Sequence, residues 1–239
     1  MASTIKDLFI KISESAISKL ENEISNHFDD LADHVFNELS WDTKPPKDFF
    51  EEWRNNLQTL DAAEFFLSQF GNAPDYRLLD IPVKKAKQHD EYLSEVENAL
   101  SSRGQGVVYI TWRKSPQEVF YIGKAGYSDG VKRLIDSHHA SLRISLQHAS
   151  TLSLLTPTNE SFLYQLEASC IHLLKWYAPD NELFNKKSET SNLPKGQYSK
   201  RLDTFANRLE ELTDRVRRMQ WGIIPSDGKQ NEQAAKLEP

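Results

Sequence analysis

Between Arg103 and Gly106 the apolar pattern of this chain changes its period. Upstream, apolar residues recur every three or four positions, as on one face of a helix. Downstream they alternate and become β-branched, as on a half-buried strand. A chain with both patterns must pack helices against a sheet, so the expected fold class is α+β. The intervening RGQG supplies the flexible residues of a junction, and the domain boundary is expected there.

The upstream part, residues 1–103, reads as an acidic helical region. Ile5, Leu8, Phe9, Ile12, Ile17, Leu20, Ile24, Phe28, Leu31, Val35 and Leu39 fit one long amphipathic helix or two broken ones. Pro45 and Pro46 interrupt that pattern. A second helix is expected from near Lys47 to Gly71, with Phe49, Phe50, Trp53 and Leu57 on its apolar stripe, and a further one over residues 83–100.

Downstream, residues 106–112 (GVVYITW) and 118–123 (EVFYIG) are β-rich runs around a KSPQ turn, the signature of a hairpin. A helix is expected over 129–146 and a third strand over 150–155. Another helix follows Pro157, with Thr158 as its N-cap, and ends before Pro179. The resulting picture is a small three-stranded antiparallel sheet flanked by helices over 104–190, then a C-terminal helix within 191–225 and a disordered polar tail at 226–239.

Composition narrows the functional classes. Cys170 is the one cysteine in 239 residues, which excludes an internal disulfide and a zinc–thiolate cluster; amid Ile171 and Leu173 it reads as a buried core thiol. No uncharged run approaches the roughly 20 residues of a membrane span, so no membrane association and a cytoplasmic location are expected. The net charge of −6 disfavours nucleic-acid binding until it is resolved along the chain. Residues 1–103 carry 11 Lys/Arg against 20 Asp/Glu (net −9), residues 104–190 carry 9 against 8 (+1), and residues 191–239 carry 9 against 7 (+2). The acidity belongs to the N-terminal part.

Five short motifs then fall in order: Val107-Val108-Tyr109, Tyr121-Ile122-Gly123, Lys132-Arg133-Leu134, Leu166-Glu167-Ala168 and Phe184-Asn185. Each alone is ordinary, since tyrosines are common in strands and glutamates on helices. As an ordered set they resemble the GIY-YIG nuclease superfamily, over about residues 104–190. Two departures accompany the resemblance. The first triplet lacks its glycine, with Gly106 standing one place early, and the approach from Gly123 to Arg133 is slightly long.

The resemblance implies a divalent-metal-dependent endonuclease acting on phosphodiester bonds in DNA, in a restriction, mobile-element or phage-defence setting, with Mg²⁺ or Mn²⁺ as cofactor. Glu167 would bind the metal, because a hard cation accepts one carboxylate and completes its shell with water and phosphate oxygens. Arg133 would grip phosphate oxygens with its planar fork. Tyr109 would act as general base or position the attacking water, and Tyr121 would hold the scissile phosphate or the water. Asn185 would fix backbone or tyrosine geometry through its amide, and Lys124 and Lys132 would contact substrate. Some members use a histidine after the arginine; here His138 and His139 compete for that role with a solvated surface pair.

The remaining chain is expected to serve other contacts. The acidic helices suit a protein partner or self-association better than a DNA duplex. Arg208, Arg215, Arg217 and Arg218 make the C-terminal helix the better candidate for a DNA backbone contact, although Glu210, Glu211 and Asp214 also fit a solvated mixed-charge helix. The alternative to a nuclease is a catalytically inactive scaffold that keeps the fold and binds nucleic acid or protein.

Overall fold

The computed structural model describes residues 4–37, 47–74, 77–83, 98, 106–126, 140–177, 183–185, 190–201, 204 and 207. The chain divides into two compact units, Met1–Tyr198 and Ser199–Pro239. In the second unit the described residues Ser199, Lys200, Arg201, Thr204 and Asn207 are helical, in agreement with the expected C-terminal helix. Arg208, Arg215, Arg217, Arg218 and the tail lie outside the described residues.

The first unit opens with α1, Ile5–Asn37, and α2, Lys47–Phe70. The entry to α1 is fixed by a reciprocal cap: Asp7 N donates to Thr4 Oγ1 at 3.1 Å and Thr4 N donates to Asp7 Oδ2 at 3.0 Å. Ile5, Phe9, Ile12, Ala16 and Leu20 recur at steps of three and four on α1 and are buried. They meet Ala62, Ala63, Phe66 and Phe70 of α2, with Phe9 and Phe66 5.3 Å apart and Phe66 stacked on Phe70.

Four antiparallel strands form one sheet in the order β1-β4-β2-β3: β1 is Leu78–Pro82, β2 Val107–Arg113, β3 Glu118–Ala125 and β4 Thr151–Leu155. The hairpin and the third expected strand are present as β2, β3 and β4. The expectation of three strands is corrected by β1, which comes from the region read as wholly helical and pairs along β4 from Leu78↔Leu155 to Pro82↔Thr151. Val83, expected to open a helix, instead donates to Ser150 O at 2.9 Å and prolongs that pairing. Of the remainder of that expected helix only Asn98 is described, and it is helical.

Helices cover both faces of the sheet. On one face Val108, Ile110, Trp112, Val119, Ile122 and Leu155 share a core with α1, α2 and α4, Leu163–Tyr177. On the other, Tyr109, Tyr121, Ala125, Leu152, Leu154 and Ile81 pack with Leu146 of α3, Ala140–His148. The two sets alternate along β2 and β4, as a pleated backbone requires, whereas on β3 the irregularity at Phe120 puts Val119 and Tyr121 on opposite faces. The entry to α4 differs from expectation. Asn159 rather than Thr158 caps the 3-10 turn Glu160–Phe162 that leads into it, accepting from Ser161 N, because Thr158 N and Oγ1 both donate to Gln69 Oε1 of α2.

Residues on either side of the expected boundary at 103–106 therefore share one core. Arg77 shows the coupling at a single side chain: Nη1 donates to Gln69 O at the end of α2, Nε and Nη2 donate to Thr156 O beyond β4, and the guanidinium lies 4.8 Å from the Phe70 ring. A buried guanidinium needs such acceptors, and the carbonyl end of a helix favours a cation.

Candidate functional site

The described residues among those selected from sequence border one short piece of backbone, residues 121–124 of β3. Tyr109 is partnered with Gly123 and Thr111 with Tyr121 in the hairpin register, so the two tyrosines are diagonal neighbours on the α3 face. Their rings stack with centroids 6.0 Å apart and planes 27° apart. Both are buried. The irregularity in the ladder lies beyond them, between Thr111 and Trp112, and leaves Tyr109 and Tyr121 on the same side.

Gly123 makes the close seating of Tyr109 possible. A β-carbon at Gly123 would stand 2.5 Å from both Cζ and Oη of Tyr109, well inside contact distance. The displaced glycine of the first triplet has a comparable reason: a β-carbon at Gly106 would meet Leu163 Cδ2 at 2.8 Å and Ala125 O at 2.9 Å. The backbone approaches α4 one residue before β2 begins, so the loss of glycine at Val107 costs no packing there.

Asn185 holds the outer edge of the same strand. Its Oδ1 accepts from Ile122 N at 3.0 Å and its Nδ2 donates to Ile122 O at 2.6 Å, while Phe184 N donates to Phe120 O at 2.8 Å. The side-chain amide thus presents to β3 the donor and acceptor that another strand would present, and an otherwise open edge is covered.

Glu167, on α4, is buried and forms an ion pair with Lys124, whose ammonium also lies 4.3 Å from the centre of the Tyr164 ring. Lys124 is opposite Val108 in the register, on the α4 face, whereas Tyr121 and Tyr109 lie on the α3 face. The tyrosine pair and the Glu167–Lys124 pair therefore flank β3 from opposite sides. Sequence reading gave Lys124 to substrate and Glu167 to metal; in the structure the two are each other's partners. The ring of Tyr164, 56 % exposed beside this pair, was not singled out from sequence, since only its i, i+3 spacing to Glu167 could have drawn attention to it.

Lys132, Arg133, His138 and His139 lie outside the described residues. Among the described residues no three His, Cys, Asp or Glu side chains gather closely enough to hold a metal ion by themselves. Among the described residues Glu167 would offer a cation one carboxylate, a donor set that suits a hard ion retaining most of its water. Cys170, three residues along α4, is fully buried, and burial followed by the Glu167 charge pushes its thiol far above the ordinary range. It is a core residue without nucleophilic character.

No described helix is long and apolar enough to cross a membrane. No protein-family model, curated protein or solved structure matches the chain.

Proposed function

We propose that this chain is a divalent-metal-dependent phosphodiesterase of the GIY-YIG type acting on DNA, with its centre at residues 121–124 of β3. One observation carries the reading: Tyr109, Asn185 and Glu167, the described members assigned chemistry outside that segment, each touch it. Tyr109 covers Gly123 and stacks on Tyr121, Asn185 clamps Ile122, and Glu167 pairs with Lys124. A set brought together by chance from separate strands and helices has no reason to focus on four consecutive residues.

In this reading Glu167 holds Mg²⁺ or Mn²⁺, which when bound neutralises charge on the phosphate and acidifies a water. The tyrosines supply hydroxyls fixed by mutual stacking and by Gly123, Tyr109 directing the attacking water and Tyr121 the phosphate. A fixed donor costs no reorganisation when charge develops, which is the source of its value to catalysis. Asn185 acts through the strand, holding the edge that carries Tyr121. Arg133 and Lys132 supply cationic contacts to phosphate, and His138 assists proton transfer.

The test is nicking of supercoiled plasmid with Mg²⁺ or Mn²⁺. The wild-type chain is expected to cut and Glu167→Ala to lose cutting by a factor of at least about 100, the scale of removing a principal electrostatic contribution. Equal cutting by that variant would remove Glu167 from the chemistry. The opposite-face arrangement of the tyrosines and Glu167 favours a second reading, an inactive scaffold of the same fold. That reading requires no cutting with any metal, together with DNA or protein binding that Tyr109→Phe leaves unchanged.

A further inference from the structure

We infer that Lys124 is the resident counter-cation of Glu167, and that a divalent ion reaches this carboxylate only by displacing the lysine. The inference rests on the metal role given to Glu167 above, but its test is independent of cleavage. Its basis is the combination of burial and pairing. The Lys124 and Glu167 side chains are only 11 % and 9 % exposed, and the ammonium takes Glu167 Oε2. Neither charge is well hydrated, so each depends on the other for much of its stabilisation.

Three features keep the lysine in place. Its backbone is fixed by pairing with Val108 in the hairpin ladder, one pair in from its open end. Its ammonium rests against the ring of Tyr164, one turn before Glu167 on the same helix, which offers a cation a favourable face. Glu167 is held within α4 between the buried Leu166 and Ala168. The pair is thus built from two rigid elements rather than from two mobile surface chains.

A divalent cation at the Glu167 carboxylate is repelled by the ammonium already bonded to Oε2. Metal binding must therefore move Lys124 off Glu167, and the freed ammonium remains next to the site, where a phosphate dianion or diester would attract it. Lysine suits this exchange because it is a flexible point charge rather than a bidentate fork.

The experiment is calorimetric titration of the full-length chain with Mn²⁺, without nucleic acid. Lys124→Gln removes the competing charge and is expected to bind one Mn²⁺ at least about tenfold more tightly than wild type. Adding Glu167→Gln to it should abolish that gain. Unchanged affinity in Lys124→Gln, or a gain that persists in the double variant, overturns the inference. If Lys124→Gln does not fold, Tyr164→Ala serves instead. It hydrates the ammonium and loosens the pair, and a Mn²⁺ affinity no higher than wild type then overturns the inference. Plasmid nicking separates this outcome from the nuclease reading. Cutting by wild type with no affinity gain in Lys124→Gln removes only the counter-cation role; an affinity gain with no cutting under any metal removes only the nuclease.

Discussion

The placement of Gly123 beneath Tyr109 turns a sequence motif into a packing requirement. Tyr109 is 2 % exposed and already stacked on Tyr121, so it has no solvent side into which to retreat from an added methyl group. Gly123→Ala would bring a β-carbon to 2.5 Å from Cζ and Oη of Tyr109, a contact that the ring or one of the two strands must relieve. Overpacking of this kind costs about 1–3 kcal/mol. A lower urea midpoint with an unchanged slope is therefore expected, and unchanged stability would show that the ring is free to move. If the tyrosine hydroxyls serve catalysis, the same variant should lose nicking activity beyond what its folded fraction explains. The motif made Gly123 legible in the sequence, but its cause was not, because which ring a glycine accommodates depends on strand register. The Lys124–Glu167 pair was illegible for a related reason: both are residue types that usually face water, and they are 43 positions apart.

At the scale of elements, what sequence revealed and what it hid follow from where each element finds its partners. The hairpin was legible because alternation and a turn are local signals, and α4 because its apolar residues recur at helical spacing before Pro179. Strand β1 was hidden. It has five residues, carries Asp80 and Pro82, and exists as a strand because β4, about 70 residues later, presents an open edge. Asp80 is itself used there: its Oδ1 accepts from Ser153 Oγ at 2.5 Å, and Ser153 Oγ accepts from Trp112 Nε1 at 2.8 Å, linking three strands. The junction of α2 with α4 contains another polar link, absent from sequence expectation. Thr59 Oγ1 donates to Asn55 O at 2.7 Å, so its one hydrogen is committed and His172 Nε2, 2.8 Å away, is the donor to it. Burial, reinforced by the Lys175 charge and opposed by a hydrogen bond to Asn55, lowers the His172 pKa below its ordinary 6.5. The folded chain then refuses a proton that the unfolded chain accepts. This contribution is complete above pH 6.5 and is lost as pH falls through the lowered folded value. The urea midpoint of wild type should consequently drop more steeply between pH 8 and pH 5 than that of His172→Gln. Parallel profiles would mean that His172 charges freely within the fold.

For the first unit as a whole, the consequence is that the segment resembling a nuclease does not contain its own core. The boundary expected at residues 103–106 does not divide the packing, since residues on either side of it share one core and one sheet. Without residues 1–103 the α4 face of the sheet would lose Ile5, Phe9, Ile12, Phe66 and Phe70, all buried against it or against its neighbours. Burial of each such side chain is worth about 1.5–3 kcal/mol, and together they rival the roughly 5–15 kcal/mol net stability of a domain. The same cut removes β1, exposing the backbone edge of β4, and leaves Thr156 O without the Arg77 guanidinium. A fragment of residues 104–198 is therefore expected to aggregate or to give a collapsed amide spectrum, whereas residues 1–198 should give a dispersed one. Co-expressing 1–103 with 104–198 should restore solubility, because the missing surfaces are large and apolar. A well-dispersed spectrum and a cooperative unfolding transition from 104–198 alone would refute this and make the acidic region an appendage. If the fragment fails as expected, nuclease assays must use the helices together with the sheet, since it is α1, α2 and α4 packed as one layer that hold Glu167 against Lys124.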